Sequence, residues 1–130
     1  VTTRTAAERQ EARRVEYRAA VAACPAQEVL GRLGDKWVAL VLRALREGPR
    51  RHGDLARTVA GARQKVLTQT LRGLERDGLV TRTVTPGVPV RVDYALTPLG
   101  RSLLDVVDTV SRWADEHVPA VHEARRRYRE

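Results

Sequence analysis

Gln64, Lys65, Thr68, Gln69 and Arg72 fall at i, i+1, i+4, i+5 and i+8, a spacing that gathers them on one stripe of an α-helix. Each offers a hydrogen-bond donor or a positive charge: two amides, a hydroxyl, an ammonium and a guanidinium. No acid interrupts the stripe before Glu75, at its far end. A helix face that merely meets water usually mixes in Asp or Glu to form i,i+4 pairs. A donor face without acids suits phosphate oxygens and the acceptor-bearing edges of base pairs. Val66, Leu67, Leu71 and Leu74 supply the apolar side and make Arg63–Asp77 an amphipathic helix, with Arg63 adding a further cation at its start.

Other elements must hold that helix in place. His52–Val59 reads as a short helix with Leu55 and Val59 facing inward, and Ala60–Gly61 as the turn that joins it to Arg63–Asp77, with Gly78 as the stop. Two short helices about a tight turn containing glycine are the parts of a helix-turn-helix. Leu79–Thr85 and Val90–Leu96 are rich in β-branched residues and flank Pro86–Gly87–Val88–Pro89, so they form a hairpin directly after the second helix. Arg82 and Arg91 flank its tip. A projecting hairpin can carry arginine to a DNA backbone or a minor groove, and can equally serve only to close the domain. Arg43, Arg46, Arg50, Arg51, His52 and Arg57 form a basic cluster just upstream, in which Arg50, Arg51 and His52 suit backbone contacts, whereas Arg43 and Arg46 also fit the exposed rim of a buried helix.

Four further helices frame this unit. Thr5–Ala22 carries a weak alanine and valine stripe, suited either to docking on a partner chain or to a surface position. Pro25 opens a second helix with Val29, Leu30 and Leu33 at helical spacing, closed by Gly34. Asp35 then caps a helix from Lys36 that is apolar on most faces, hence central, and is ended by Gly48–Pro49. After the hairpin, Thr97–Pro98 starts a long helix expected to reach Val118, with Pro119 ending or kinking it. Its stripe of Leu99, Leu103, Val106, Val107, Val110, Trp113 and Ala114 exceeds what a hairpin and short helices can cover. Leu103, Val106, Val107, Val110 and Trp113 are therefore the expected interface with the same helix of a second chain. Tyr17, Trp37 and Trp113 could line an apolar cleft for a small-molecule effector.

With 130 residues there is room for about one domain. The formal charge of +8 favours a polyanionic partner, although 22 of the 24 basic residues are arginine, a usage that GC-rich coding also produces. Aromatic residues are 4% and phenylalanine is absent, so the core must be built from Leu, Val and Ala. Cys24 is the single cysteine, which excludes an internal disulfide framework. With no long apolar run and no leader-like segment, the expected location is cytoplasmic, with no membrane partner. No nucleophile–base arrangement, paired catalytic carboxylates or phosphate-cradling glycine loop is present, and His117 and His122 stand at i,i+5, off a common helix face. The reading is a non-enzyme without metal or cofactor.

A set of ordered blocks then carries a resemblance. Cys24–Pro25, Gly34–Asp35–Lys36–Trp37, Gly48–Pro49–Arg50–Arg51–His52–Gly53–Asp54–Leu55, Lys65–Val66–Leu67–Thr68–Gln69, Leu74–Glu75–Arg76–Asp77–Gly78–Leu79–Val80, and Val88 to Thr97 with Gly100 resemble the HxlR family of bacterial winged-helix regulators. The resemblance spans about residues 24–117. It implies a mainly α fold with a small β-hairpin wing, that is, a winged helix-turn-helix; the expected fold has N- and C-terminal dimerisation helices, the residues before Cys24 lying beyond the family's usual start. It further implies a homodimer on a palindromic operator, with Lys65, Thr68, Gln69 and Arg72 in the major groove and Arg91 on the wing. Cys24 resembles the cysteine that some such regulators use as a thiol sensor; an inert, half-buried thiol is the alternative. The chain departs from the family at Arg63–Gln64, at Thr70, where a basic residue is common, and at Gly87. The expected organisation is a helical extension at 1–23, the winged helix-turn-helix at 24–97 and a dimerisation helix with a basic tail at 98–130. The expected DNA-binding set is Arg51, His52, Arg63, Gln64, Lys65, Thr68, Gln69, Arg72 and Arg91. A winged-helix protein–protein module without DNA binding is the competing function.

Overall fold

The computed structural model describes residues 3–59 and 61–129. It divides into two units, Val1–Asp35 and Lys36–Glu130. The first holds α1 (Ala6–Ala23) and α2 (Pro25–Leu33). Helix α1 starts at a capping box: the Glu8 amide donates to Thr5 Oγ1 at 3.1 Å and the Thr5 amide donates to Glu8 Oε2 at 2.8 Å. Helix α2 starts on Pro25, whose missing N–H costs nothing in the first turn. Cys24 is the residue before it, at the cap position rather than the first helical one.

The second unit contains α3 (Lys36–Ala44), β1 (Arg50–Arg51), α4 (His52–Thr58), α5 (Gln64–Arg76), β2 (Val80–Thr85), β3 (Arg91–Leu96) and α6 (Pro98–Arg129). Its core is leucine and valine, as the composition requires: Val38, Val41, Leu42, Leu45, Leu55, Val59, Leu67, Leu71, Leu74, Val80, Leu104 and Val107, with Tyr94 the one buried aromatic residue. Helix α3 is the central element, and α5 and α6 both pack on it. The sheet has three antiparallel strands in the order β1-β3-β2, not the two of a simple hairpin. The extra strand is the two-residue β1, which pairs Arg50 with Tyr94 and Arg51 with Asp93. Two residues are too few to show the period-2 alternation by which a strand is read.

Helix α5 and the sheet meet at a C-terminal lock. Gly78 adopts φ +77°, which glycine accepts without strain. The Leu79 amide then donates to the Leu74 carbonyl at 2.9 Å, and the Gly78 amide to the Glu75 carbonyl at 3.0 Å, a Schellman motif. Thr97 ties the same corner to α6, since its hydroxyl donates to the Gly78 carbonyl at 2.7 Å and accepts from the Gly100 amide at 3.0 Å. Gly100 is required there, because a Cβ would stand 2.0 Å from the Leu79 carbonyl oxygen. The angle between α5, wing and α6 is thus set by backbone contacts at one point.

Two expectations for α6 change. The helix does not end at Val118 but runs through Pro119 to Arg129. Pro119 deprives the Asp115 carbonyl of its partner, but both residues are exposed, where water can replace the lost bond. Val107 belongs to the protomer's own core together with its neighbour Leu104, so it is not part of the surface that α6 presents. No helix among the described residues is long and apolar enough to cross a membrane.

Candidate nucleic-acid interface

Helix α5 turns Leu67, Thr70, Leu71 and Leu74 into the core. Thr70 therefore lies on the buried side, and the departure noted at that position does not touch the outer surface. The opposite side exposes Gln64, Lys65, Gln69 and Arg72 and leaves Thr68 half-buried. These five residues together line an open groove of about 530 Å³. The helix begins without a side-chain cap, since the cap position is held by Arg63, an exposed cation. Its first amides are left for an outside acceptor, and with the helix dipole they favour an anion.

Helix α4 braces this surface. His52, its first residue, places Nε2 3.1 Å from Thr68 Oγ1, so one nitrogen of the ring positions Thr68 rather than facing outward. Arg51 precedes it on β1, exposed and adjacent to Asp93 on β3. Ala60, part of the turn expected between the helices, lies outside the described residues. Gly61 follows it at φ +93°, 3.7 Å from the Trp37 ring for an added Cβ.

The arginines divide into two classes once their carboxylates are known. Arg46 forms a two-pronged pair with Asp108 on α6, at 2.6 and 2.9 Å. That bond, reinforced by charge, holds the Asp108 carboxyl below the ordinary carboxylate range, and it raises the Arg46 guanidinium in turn. Arg57 pairs with Asp54 and Arg91 with Asp93, the latter at 2.9 Å. In contrast, Arg51, Arg63, Lys65 and Arg72 hold no ion pair among the described residues. These four uncompensated cations lie at the start of α4 and along α5.

The wing differs from its expected form. Register pairs Arg82 with Tyr94 and Thr85 with Arg91. Cross-strand partners share a sheet face, and alternation puts Arg91 and Asp93 on the opposite face from Tyr94. Arg91 is therefore on the outer face, already joined to Asp93, whereas Arg82 lies on the inner face beside α5. Thr68, Arg72, Glu75, Arg82 and Tyr94 line one cleft of about 340 Å³. Arg82 was visible in the sequence as a basic residue beside the tip, but its side of the strand was not.

The remaining candidates lie elsewhere. Trp113 is 56% exposed on α6 and its ring lies 4.8 Å from that of His117. Trp37 lies under the Lys36 ammonium at 4.6 Å. Tyr17 is exposed on α1 in the first unit. Cys24 is a free, partly exposed thiol. Leu99, Val106 and Val110 are exposed along α6 with Trp113, and Leu103 is half-buried.

Comparison with known proteins gives a consistent result. The family model described as an HxlR-like helix-turn-helix matches residues 32–122. The HTH-type transcriptional regulator YtfH of Escherichia coli (strain K12) is 42% identical over 98 residues, covering 75% of this chain and 78% of that protein. Among solved structures, the regulator YtfH of Salmonella typhimurium matches with a TM-score of 0.69 and 40% identity, over 80% of this chain and 93% of that one. The reduced form of the transcriptional regulator YodB from B. subtilis matches with a TM-score of 0.66 and 36% identity, over 72% and 93%.

Proposed function

Because the chain belongs to the HxlR-like helix-turn-helix family of transcriptional regulators, we propose that it is a homodimeric DNA-binding regulator whose α5 enters the major groove of a palindromic operator. The observation that carries this is the outer face of α5. Gln64, Lys65, Thr68, Gln69 and Arg72 line one groove there, no acid occupies the first turn, and neither cation is neutralised by the protein. Lys65, Arg63 and Arg72 serve phosphates; Gln69 carries the donor and acceptor to read a base edge. Arg51 and His52 hold the backbone beside the start of α4. Arg91 reaches DNA from the outer face of the wing with Asp93 orienting its guanidinium.

The dimer rests on α6. Val106, Val110 and Trp113 are about half exposed and, with Leu103 and Leu99, form an apolar stripe without cover in a single chain. A second copy buries it through a two-fold axis, which presents two α5 helices to half-sites about 34 Å apart.

Selection of bound duplexes from a random-sequence library, followed by binding across a salt series, tests this reading. An inverted repeat should emerge, and log K should fall with log salt at about −0.9 per phosphate neutralised. Absence of salt-sensitive binding to any duplex would overturn it in favour of a protein–protein module on the same fold.

A redox input is the regulatory part of the proposal. YodB, a relative at 36% identity, has been crystallised both reduced and diamide-treated. Here Cys24 is a free, partly exposed thiol at the cap position of α2. Diamide should alter operator binding of the wild type, and Cys24→Ser should abolish that response. A small-molecule effector at Tyr17, Trp37 or Trp113 is the alternative input, read as a ligand-dependent shift in operator affinity that survives Cys24→Ser.

A further inference from the structure

We infer that the cleft between α5 and β2 is a seat for one phosphodiester group of the duplex, gripped by Arg72 and Arg82 and completed by the hydroxyls of Thr68 and Tyr94. This inference rests on the DNA-binding reading above and adds Arg82 and Tyr94 to the interface.

Tyr94 is the first observation. It is only 7% exposed, and its hydroxyl makes no hydrogen bond to the protein among the described residues. That hydroxyl is nevertheless not sealed off, because no buried polar side-chain atom lacks a partner among them. The hydroxyl is thus accessible and without a protein partner, and Tyr94 lines this cleft. An accessible phenol hydroxyl with no protein partner is free to donate to an acceptor that arrives from outside.

The charge is the second observation. Arg72 comes from α5 and Arg82 from the inner face of β2, and neither guanidinium has an ion pair or hydrogen bond within the protein among the described residues. Glu75 also lines the cleft, giving two cations against one carboxylate. A net charge of about +1 matches a singly charged phosphodiester better than a dianionic phosphate monoester. Guanidinium groups approaching from two elements can bind separate non-bridging oxygens, as Arg–phosphate recognition prefers. Thr68 and Arg72 line both this cleft and the outer groove of α5. A strand whose bases face α5 therefore passes the mouth of the cleft. Binding there fixes the register of α5 in the groove, because the wing holds the backbone beside it.

The test compares wild type, Arg82→Gln and Tyr94→Phe on a duplex obtained by the selection above. Arg82 is exposed and Tyr94→Phe keeps the ring, so both variants should unfold at the wild-type temperature. Arg82→Gln should bind about tenfold more weakly, the loss of one charge-assisted contact. Its salt slope should flatten by about 0.9, with sequence preference retained. Tyr94→Phe should lose less affinity in the same direction. A scan of single neutral methylphosphonates along the duplex should find one linkage at which wild type and Arg82→Gln become equal.

Equal affinity and slope for wild type and Arg82→Gln, with Lys65→Ala still weakened, overturns the seat and leaves the DNA-binding reading in place. Failure of the wild type itself to bind any duplex removes that reading instead. Inorganic phosphate, titrated calorimetrically without DNA, should give no Arg82-dependent heat; a saturable heat that Arg82→Gln removes would reassign the cleft to a small free anion and overturn the seat on the duplex.

Discussion

Helices α5 and α6 are both amphipathic, both pack on α3, and both leave one face uncovered, yet what they leave uncovered is opposite. Helix α5 exposes donors and cations with no carboxylate in its first turn. Helix α6 exposes Leu99, Val106, Val110 and Trp113, while its acid Asp108 takes up a neighbouring arginine. One face holds uncompensated charge and the other uncompensated apolar area. Under the proposed reading the first meets a polyanion, whose released counterions drive binding. Under the same proposed reading the second meets another apolar surface, the same helix in a second copy.

The sharpest way to break the comparison is to exchange the two faces of α5. Leu71→Ala, on the buried side, should cost about 2–5 kcal/mol of stability, because it removes packing and leaves a cavity. Gln69→Ala, on the outer side, should change stability by less than about 0.5 kcal/mol and still impair recognition of the selected sequence. Urea unfolding of the two variants decides this. Similar losses in both would mean that α5 has no free face.

A carboxylate placed in the apolar stripe tests α6 in the same way. Val110→Asp should weaken dimerisation by about 2 kcal/mol or more, as charge burial at the centre of an interface does. Light scattering should report a monomer at concentrations where the wild type is a dimer. Operator affinity should fall with it, since one half-site alone then contributes. An unchanged mass would show that the stripe is covered in some other way.

The pairing of the arginines gives a smaller and more selective contrast. Lys65→Ala should lower duplex affinity about tenfold and flatten the salt slope by about 0.9, if one phosphate contact is lost. Arg57→Gln, at a cation already paired with Asp54, should change affinity by less than about threefold. A fluorescence titration over several salt concentrations measures both. Equal effects would mean that the pair with Asp54 does not keep Arg57 from the duplex.

How much of this could be read in advance follows from range. The period of Val66, Leu67, Leu71 and Leu74, the stop at Gly78 and the cap at Thr97 are local signals, and α5, its boundaries and the start of α6 were accordingly legible. Which of Leu103 and Leu104 faces the core was not, because adjacent helix positions differ by about 100° and both are leucine. The parity of β2 was equally hidden, since Arg82 and Arg91 look alike until register sets one on each face. Tyr94 was the available clue, being the one aromatic residue on the return strand and hence the natural inward anchor. The two-residue β1 has no pattern at all. The Arg46–Asp108 pair joins residues 62 positions apart, and no spacing rule reaches that far.

That pair also yields the smallest expected effect and the one with the clearest sign. The Asp108 carboxyl is held below its ordinary range chiefly by its hydrogen bonds to Arg46. A carboxylate whose folded pKa is depressed binds fewer protons folded than unfolded, so its stabilising contribution is complete above the unfolded value of about 3.9. It declines as pH falls through that value and is lost once pH drops below the folded one. Asp108→Asn should therefore lower the urea midpoint by a constant amount across neutral pH, and the two midpoints should converge in acid. Because both side chains are partly solvated, the gap should also narrow with added salt. A gap that persists unchanged into strong acid would assign it to packing of Asp108 rather than to its charge.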